Sequence, residues 1–149
     1  MEGKFVKNLE VIKNQAKCEI FGDELNDLKK SEIFKQIIEK KIDIDIVTQN
    51  SHSMDCKNFR IILNINMKDV LLLESILKNL KIKYKIRKNL TKICIFGIGI
   101  KTNKDVIYDV ISKLYKEKIE ILTISTSEVK IMLLIENKKK TNFKFLLDM

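Results

Sequence analysis

Side chains that could do chemistry are few in this sequence of 149 residues. Asp43 and Asp45 are two residues apart, so on a strand they would share a face and could form an acid–base pair or bind a hard cation through oxygen. Two solvated surface carboxylates would have the same spacing. His52 is the only histidine, and it has no activated nucleophile and no second ligand-like neighbour nearby. We therefore predict no catalytic residue and no metal site.

Gly97 and Gly99 precede a helical pattern, as glycines do in dinucleotide-binding loops. The third glycine of that motif is missing, and the acidic residue expected on the next strand would have to be Glu120. No Gly-Lys-Ser/Thr follows, which also argues against a phosphate-binding loop. We interpret the two glycines as a tight turn and predict no cofactor.

Two corners rich in small hydrogen-bonding side chains are better candidates for a binding site. They are Thr48-Gln49-Asn50 and Ser125-Thr126-Ser127-Glu128, each at the end of a strand pattern. A strand end beside the start of a helix offers unpaired N–H groups and a positive dipole end, which favour a carboxylate. Asp43, Asp45 or Glu120 could pair with an amino group. Ordinary turn chemistry explains such corners equally well.

Hydrophobic periodicity predicts the elements that would position these corners. An apolar stripe of Ile33, Phe34, Ile37 and Ile38 predicts a first helix, and Asp69 is placed to cap the N-terminus of a second. The predicted strands are 5–12, 16–21, 42–46, 59–67, 81–87, 92–97, 119–124 and 129–135, and the predicted helices are 29–41, 70–80 and one that opens with a capping box at 102–105.

The order of these elements occurs twice. When Gly22 is aligned with Gly97, Ile44 falls on Ile121 and the two polar corners coincide. The first copy is a complete βαββαβ pattern, whereas the second lacks a last strand and the chain has a spare strand at its beginning. We therefore predict an α+β protein of two ferredoxin-like βαββαβ units, 14–89 and 1–13 with 90–149, the second completed by the N-terminal strand.

The composition limits location and partners. The three cysteines are too scattered for a disulfide framework, and neither a signal peptide nor a run long enough to span a bilayer occurs. We expect a cytoplasmic protein without a membrane partner. The net charge of +9 invites a nucleic-acid partner, but lysines are interleaved with acids and only Arg60 and Arg87 are arginines. That distribution argues against nucleic acid, although a basic nucleic-acid-binding ferredoxin-like domain stays an alternative.

Two segments resemble the C-terminal regulatory region of aspartokinases. Residues 119–131, IEILTISTSEVKI, are similar to its INIE-ISTSEIKIS segment, and residues 42–50, IDIDIVTQN, are similar to its INVDMIVQN segment. Gly97 to Lys101 resembles its GxGM loop, and Asn14 to Lys17 its N-x-A-K entry to the first strand.

The resemblance implies a pair of ACT domains, which are amino-acid-sensing ferredoxin-like modules. It implies a homodimer that binds lysine or threonine at its interface and restrains a kinase catalytic domain or chain. The kinase half is missing here, so we expect this chain itself to be non-catalytic. The first loop, Gly22 to Leu28, lacks the family's Pro-Gly turn, which leaves a degenerate pair that only dimerises as an alternative. By position, the resemblance implies an effector site of the Gly22 to Leu28 loop with Asp43, Ile44, Asp45, Gln49, Asn50, Gly97, Gly99, Ile100, Lys101, Glu120, Ile121, Ser125, Thr126, Ser127 and Glu128.

Overall fold

The computed structural model describes residues 6–23, 25–51, 59–97, 104–136 and 142–148. The chain divides into two compact units that interleave along the sequence. The first unit comprises residues 14–88, and the second unit comprises residues 1–13 and 89–149.

The first unit contains the later part of β1 (Val6–Phe21), α1 (Asp27–Glu39), β2 (Ile44–Ser51), β3 (Phe59–Asn66), α2 (Val70–Asn79) and the opening part of β4 (Lys83–Gly97). Its strands lie in the order β2-β3-β1-β4, and both β1 and β2 are antiparallel to β3. The core contains alternate residues of the strands, such as Cys18 and Leu63, together with Ile33 and Ile37 of α1 and Leu73 and Leu77 of α2.

Two predictions about the helices of the first unit are wrong. Ile38 was expected on the apolar stripe of α1, but it is 75% exposed because it lies about 100° around the helix from Ile37. Asp69 was expected to cap α2, yet its side chain makes no capping hydrogen bond. A 3₁₀ turn, Met67–Asp69, precedes α2, and Asn66 caps that turn by accepting the Lys68 N–H at 3.0 Å.

The second unit contains the opening part of β1, the later part of β4, α3 (Lys104–Lys116), β5 (Ile121–Thr126) and β6 (Lys130–Glu136). Its strands lie in the order β1-β4-β6-β5, so the N-terminal strand occupies the place of a fourth strand. Its core includes Ile93, Val110 and Leu133, with Leu9 of β1 packed against them. A 3₁₀ helix, Lys144–Asp148, follows. The predicted α+β fold of two ferredoxin-like units is confirmed.

The strands β1 and β4 each run through the boundary between the two units. Sequence patterns predicted two separate strands in each place, because the alternation of apolar residues is interrupted there. The structure instead continues each strand through an asparagine in the left-handed region, with φ 59° at both Asn14 and Asn89. Asparagine tolerates this conformation better than most residues with a Cβ. The interrupted alternation therefore marks a left-handed residue within one strand and not the end of that strand.

Candidate functional site

In the second unit, hydrogen bonds join the end of β4 to the polar corner between β5 and β6. The Ser127 N–H donates to the Lys130 carbonyl at 2.8 Å and closes the turn, and the Gly97 N–H donates to the Val129 carbonyl at 2.9 Å. The Ser127 hydroxyl lies 3.4 Å from the same Lys130 carbonyl. Gly97 therefore lies directly beside the residues that follow Glu128. Of the predicted site, the structure brings Gly97 and 125–128 together.

The corner of the second unit is accessible. The side chains of Thr126, Ser127 and Glu128 are exposed, and Ser125 is half-buried. Gly99, Ile100 and Lys101, which were predicted to complete this site, lie outside the described residues, as does Thr102 of the predicted capping box, whose Asp105 lies in the first turn of α3. The described part of the corner thus presents hydroxyl groups and one carboxylate beside the end of a buried strand.

The corner of the first unit has the same position among the strands of that unit. Asn50 lies opposite Arg60 of β3, and Arg60 lies opposite Phe21 of β1, which is followed by Gly22. Gln49 is exposed at the adjacent position. The Arg60 guanidinium lies 3.6 Å from the Glu19 carboxylate. The end of β2 is therefore separated by β3 from the strand end that leads into α1.

Three of the predicted acidic residues, Asp43, Asp45 and Glu120, lie at the end of their unit that is opposite to the polar corner. Ile44 pairs with Ile65 and Asn50 pairs with Arg60, so five residues of β3 separate the two ends, which is about 17 Å at about 3.4 Å per residue. Asp43 and Asp45 are exposed at the Ile44 end. In the second unit Glu120 is likewise exposed beside Ile121, whose partner on β6 is Ile135.

The acids and the corner of one unit are thus too far apart to hold the same amino-acid head group. This separation was not predicted, because sequence spacing alone does not show which ends of the strands meet.

The two edge strands carry the same irregularity. In β2 the register shifts between Ile44 and Val47, and in β5 it shifts between Ile121 and Thr123. Each shift places one extra residue in the edge strand, directly after the isoleucine that the repeat aligns. Such β-bulges twist an edge strand and redirect its side chains, often beside functional sites. The two copies therefore share this bulge of the backbone as well as their sequence pattern. The sequence did not predict the bulge, because one extra residue hardly changes the pattern of apolar residues.

Titratable groups on the strands give no sign of nucleophilic chemistry. Burial, reinforced by Glu74 and Glu19, raises the pKa of the Cys18 thiol to about 12. Burial also raises the pKa of Cys94, although Lys92 and Lys130 act in the opposite direction. A thiol with a raised pKa is protonated at neutral pH and is a poor nucleophile. Both cysteines are buried.

Lys92 of β4 is a buried base close to Cys94. Its pKa is lowered, chiefly by burial and further by Lys130, while Cys94 and Glu10 act to raise it. Lys130 itself lies on β6, with its ammonium 6.0 Å from the centre of the Phe96 ring.

The described parts of the chain contain neither a cluster of metal ligands nor a helix that could span a membrane. Within those ranges no three histidine, cysteine, aspartate or glutamate residues cluster closely enough to hold a metal ion. His52 and Cys56 lie outside them. Among the helices of the same ranges, none is long and apolar enough to cross a membrane.

Comparison with known proteins defines the class of this fold. Residues 93–142 match the ACT domain family. This match covers most of the second unit that the structure describes, including α3, β5, β6 and the polar corner between the last two. The second unit is therefore a ferredoxin-like fold of the ACT class.

The curated relatives that match this chain are aspartokinases. An aspartokinase of Helicobacter pylori (strain ATCC 700392 / 26695) is 32% identical over 142 residues, which are 93% of this chain and 34% of that protein. The chain thus spans about a third of the length of the curated relatives it matches.

Two solved structures share the fold. The ligand-free regulatory subunit of aspartate kinase from Thermus thermophilus superposes with a TM-score of 0.78, at 18% identity over 89% of each chain. Escherichia coli aspartokinase III, in complex with lysine and aspartate, gives a TM-score of 0.67 at 17% identity over 89% of this chain and 30% of that one. The resemblance found in the sequence is confirmed, because this chain is similar over most of its length to the ACT-domain regulatory region of aspartokinases.

Proposed function

We propose that this chain is the amino-acid-sensing regulatory region of an aspartokinase and that it binds lysine or threonine. The observation that carries the proposal is the duplicated corner, since Gln49-Asn50 and Ser125 to Glu128 end the edge strands of two units with the same register and the same bulge. In this proposal both 14–88 and 1–13 with 89–149 are ACT domains. Support comes from the aspartokinase relative and from the lysine complex of Escherichia coli aspartokinase III.

The corner of the second unit has the chemistry to recognise a free amino acid. Hydroxyl groups of Ser125, Thr126 and Ser127 can donate to a carboxylate, and the Glu128 carboxylate can accept from an ammonium group. Because the last residue of β4 is Gly97, no side chain of that strand end lies beside the corner. We include Gly99, Ile100 and Lys101, which follow Gly97 in the sequence, in the proposed site.

The acidic residues at the opposite end of each unit suggest that two protomers together form one binding site. Asp43, Asp45 and Glu120, with Ile44 and Ile121 beside them, lie too far from the corner of their own unit to contact the same head group. If both sets bind one ligand, they come from different protomers, which favours a homodimer with the effector at its interface. Binding would then shift the dimer between two arrangements by its differential affinity for them. The consequence for activity would appear in an aspartokinase catalytic chain or domain, which the Thermus thermophilus regulatory subunit suggests as a partner.

Calorimetry on matched variants tests this proposal. We expect saturable heat with L-lysine or L-threonine, and affinity at least about tenfold weaker in Glu128→Gln because a charge-assisted hydrogen bond is lost. Glu117→Gln is the control, since Glu117 is an exposed carboxylate of the same unit outside the corner. If the two variants bind the amino acid with equal affinity, Glu128 is not part of the binding site.

Sedimentation of the same samples separates the proposal from the degenerate alternative. A ligand-responsive dimer supports a sensing region. A stable dimer that binds neither amino acid would show that the pair has kept only its dimerisation role.

A further inference from the structure

The sheet of the first unit has two different faces. One face is covered by α1 and α2, whose buried residues share a core with alternate residues of the strands. The strand residues between those core positions lie on the opposite face, which we call the basic face. On β1, β3 and β4 it carries Lys17, Glu19, Phe21, Arg60, Ile62, Lys83, Lys85 and Arg87.

Contacts between neighbouring strands show that these side chains share a face. The ammonium of Lys85 on β4 lies 5.7 Å from the centre of the Phe21 ring on β1. On the other side of β1, the Arg60 guanidinium of β3 lies 3.6 Å from the Glu19 carboxylate. The basic face therefore extends over three adjacent strands.

Positive charge predominates on the basic face. Five of its side chains are lysine or arginine, and Glu19 is its one acidic residue among the described positions of β1, β3 and β4. Asp43 and Asp45 lie at the distant end of the unit, beside Ile44. Lysines and acids that are interleaved along the sequence argued against a nucleic-acid partner, but the alternation of the strands gathers the cations on one face.

The strand β4 contributes a row of three cations. Lys83, Lys85 and Arg87 are all exposed and occupy alternate positions, so that neighbouring Cα atoms in the row are about 7 Å apart. Successive phosphates of an extended single-stranded nucleic acid have a similar spacing. A duplex instead presents its bases in grooves that admit a helix or a two-stranded ribbon. The row therefore fits a single strand better than a duplex.

Phe21 provides an aromatic surface next to this row. Its side chain is half-buried, so part of the ring is accessible. Proteins that bind single strands without sequence preference combine a positively charged track for the backbone with aromatic rings on which bases stack. A base stacked on Phe21 would have the ammonium of Lys85 beside its own phosphate.

We propose that the basic face binds single-stranded nucleic acid. Lys83, Lys85 and Arg87 lie along the phosphates, one base stacks on Phe21, and Arg60 extends the positive field on the far side of β1. Phosphate contacts and stacking do not distinguish bases, so the binding is independent of sequence. This role goes beyond the proposed function, and it requires neither Glu128 nor a bound amino acid.

Fluorescence anisotropy of a labelled oligothymidylate of about twelve nucleotides, titrated with the full chain at several salt concentrations, tests the proposal. We expect saturable binding and a slope of about −2 for log K against log salt concentration, because each of three cations contributes about −0.7. Lys83→Gln and Lys85→Gln should each weaken binding at least about threefold at low salt and bring the slope about 0.7 closer to zero.

Two further variants separate charge on this face from charge elsewhere and from stacking. Lys35→Gln is the matched control, since it removes the same charge from an exposed lysine of α1, which covers the other face. Its affinity and slope should equal those of the unchanged chain. Phe21→Leu should bind about tenfold more weakly with an unchanged slope, because it removes stacking and no cation.

The proposal is wrong if the oligothymidylate does not bind at low salt, or if Lys83→Gln and Lys85→Gln keep the affinity and slope of the unchanged chain. Full affinity in Phe21→Leu would contradict it as well, because the face would then be a general anion site. Tighter binding of a duplex of the same length, or of vesicles that contain phosphatidylserine, would identify a different partner and also contradict it. No amino acid is present in this experiment, so its failure is distinguishable from failure of the proposed sensing function.

Discussion

At the residue scale, the three helices end in the same way. Lys41, Lys81 and Lys118 each have a φ of 56–57°, where glycine is the usual residue after a helix. The isoleucine that follows each lysine donates its N–H to a carbonyl five residues earlier, as Ile82 does to Leu77 at 3.0 Å. The isoleucines are buried, whereas the lysines are exposed. The pattern Lys-Ile thus marks a helix end in this chain, and the left-handed lysine costs free energy each time.

Replacing one of these lysines by glycine should stabilise the protein. We expect Lys81→Gly to raise the free energy of unfolding by about 0.5–1 kcal/mol, because glycine adopts a positive φ without the steric cost of a Cβ. Chemical denaturation measures the difference. Lys81→Ala is the control, since alanine keeps the Cβ and removes the ammonium. Equal stabilisation by both substitutions would assign the effect to charge and not to the backbone.

Cys18 should make stability depend on pH above 9. Its pKa is raised from 9.0 to about 12 in the folded chain, so its contribution is fully present below pH 9 and is lost as the pH rises toward about 12. At about 1.4 kcal/mol per pKa unit the whole window corresponds to about 4 kcal/mol. Lysines and tyrosines also titrate there, so the measurement is the difference between the chain and Cys18→Ala. Parallel pH profiles of the two would contradict the assignment.

At the element scale, the long strands β1 and β4 explain how two units interleave. Each strand gives one part to each unit and turns through a left-handed asparagine, Asn14 or Asn89, at the boundary. Leu9 accordingly packs against the core of the second unit, although more than eighty residues of sequence separate it from the rest of that core.

Truncating Leu9 should therefore weaken the second unit selectively. We expect Leu9→Ala to cost about 1–2 kcal/mol, less than a fully buried leucine because the side chain is half-buried. Hydrogen exchange should show reduced protection in β6 and α3, with β3 and α1 unchanged. Leu28→Ala, at a leucine that is 78% exposed on α1, should alter neither set. A uniform loss of protection over both units would show that they unfold as one.

The sequence predicted the elements well where local chemistry decides them. Ile33 and Ile37 repeat at helical spacing and are buried, and the alternation in β3 buries Ile61, Leu63 and Ile65. Features that depend on distant partners were not predicted. The basic face of the first unit requires Lys85 beside Phe21, and these two residues are far apart in the sequence.

At the scale of the whole molecule, duplication is the feature that the proposed function depends on. Ala16 pairs with Ile65 in the first unit just as Thr91 pairs with Ile135 in the second. One kind of backbone therefore presents two polar corners, which sequence reasoning located by their composition. It could not predict the distance from those corners to Asp43 and Glu120, because the relevant register forms only in the folded sheet.

The most direct test of the central claim is an amide chemical-shift titration of the labelled chain with L-lysine and, separately, with L-threonine. The account predicts that at least one of them causes saturable shifts at Gly97, at Ser125 to Glu128 or at Gln49 and Asn50. Shifts absent from all these amides at about 10 mM of either amino acid, which is tenfold above a Kd of about 1 mM, would contradict it.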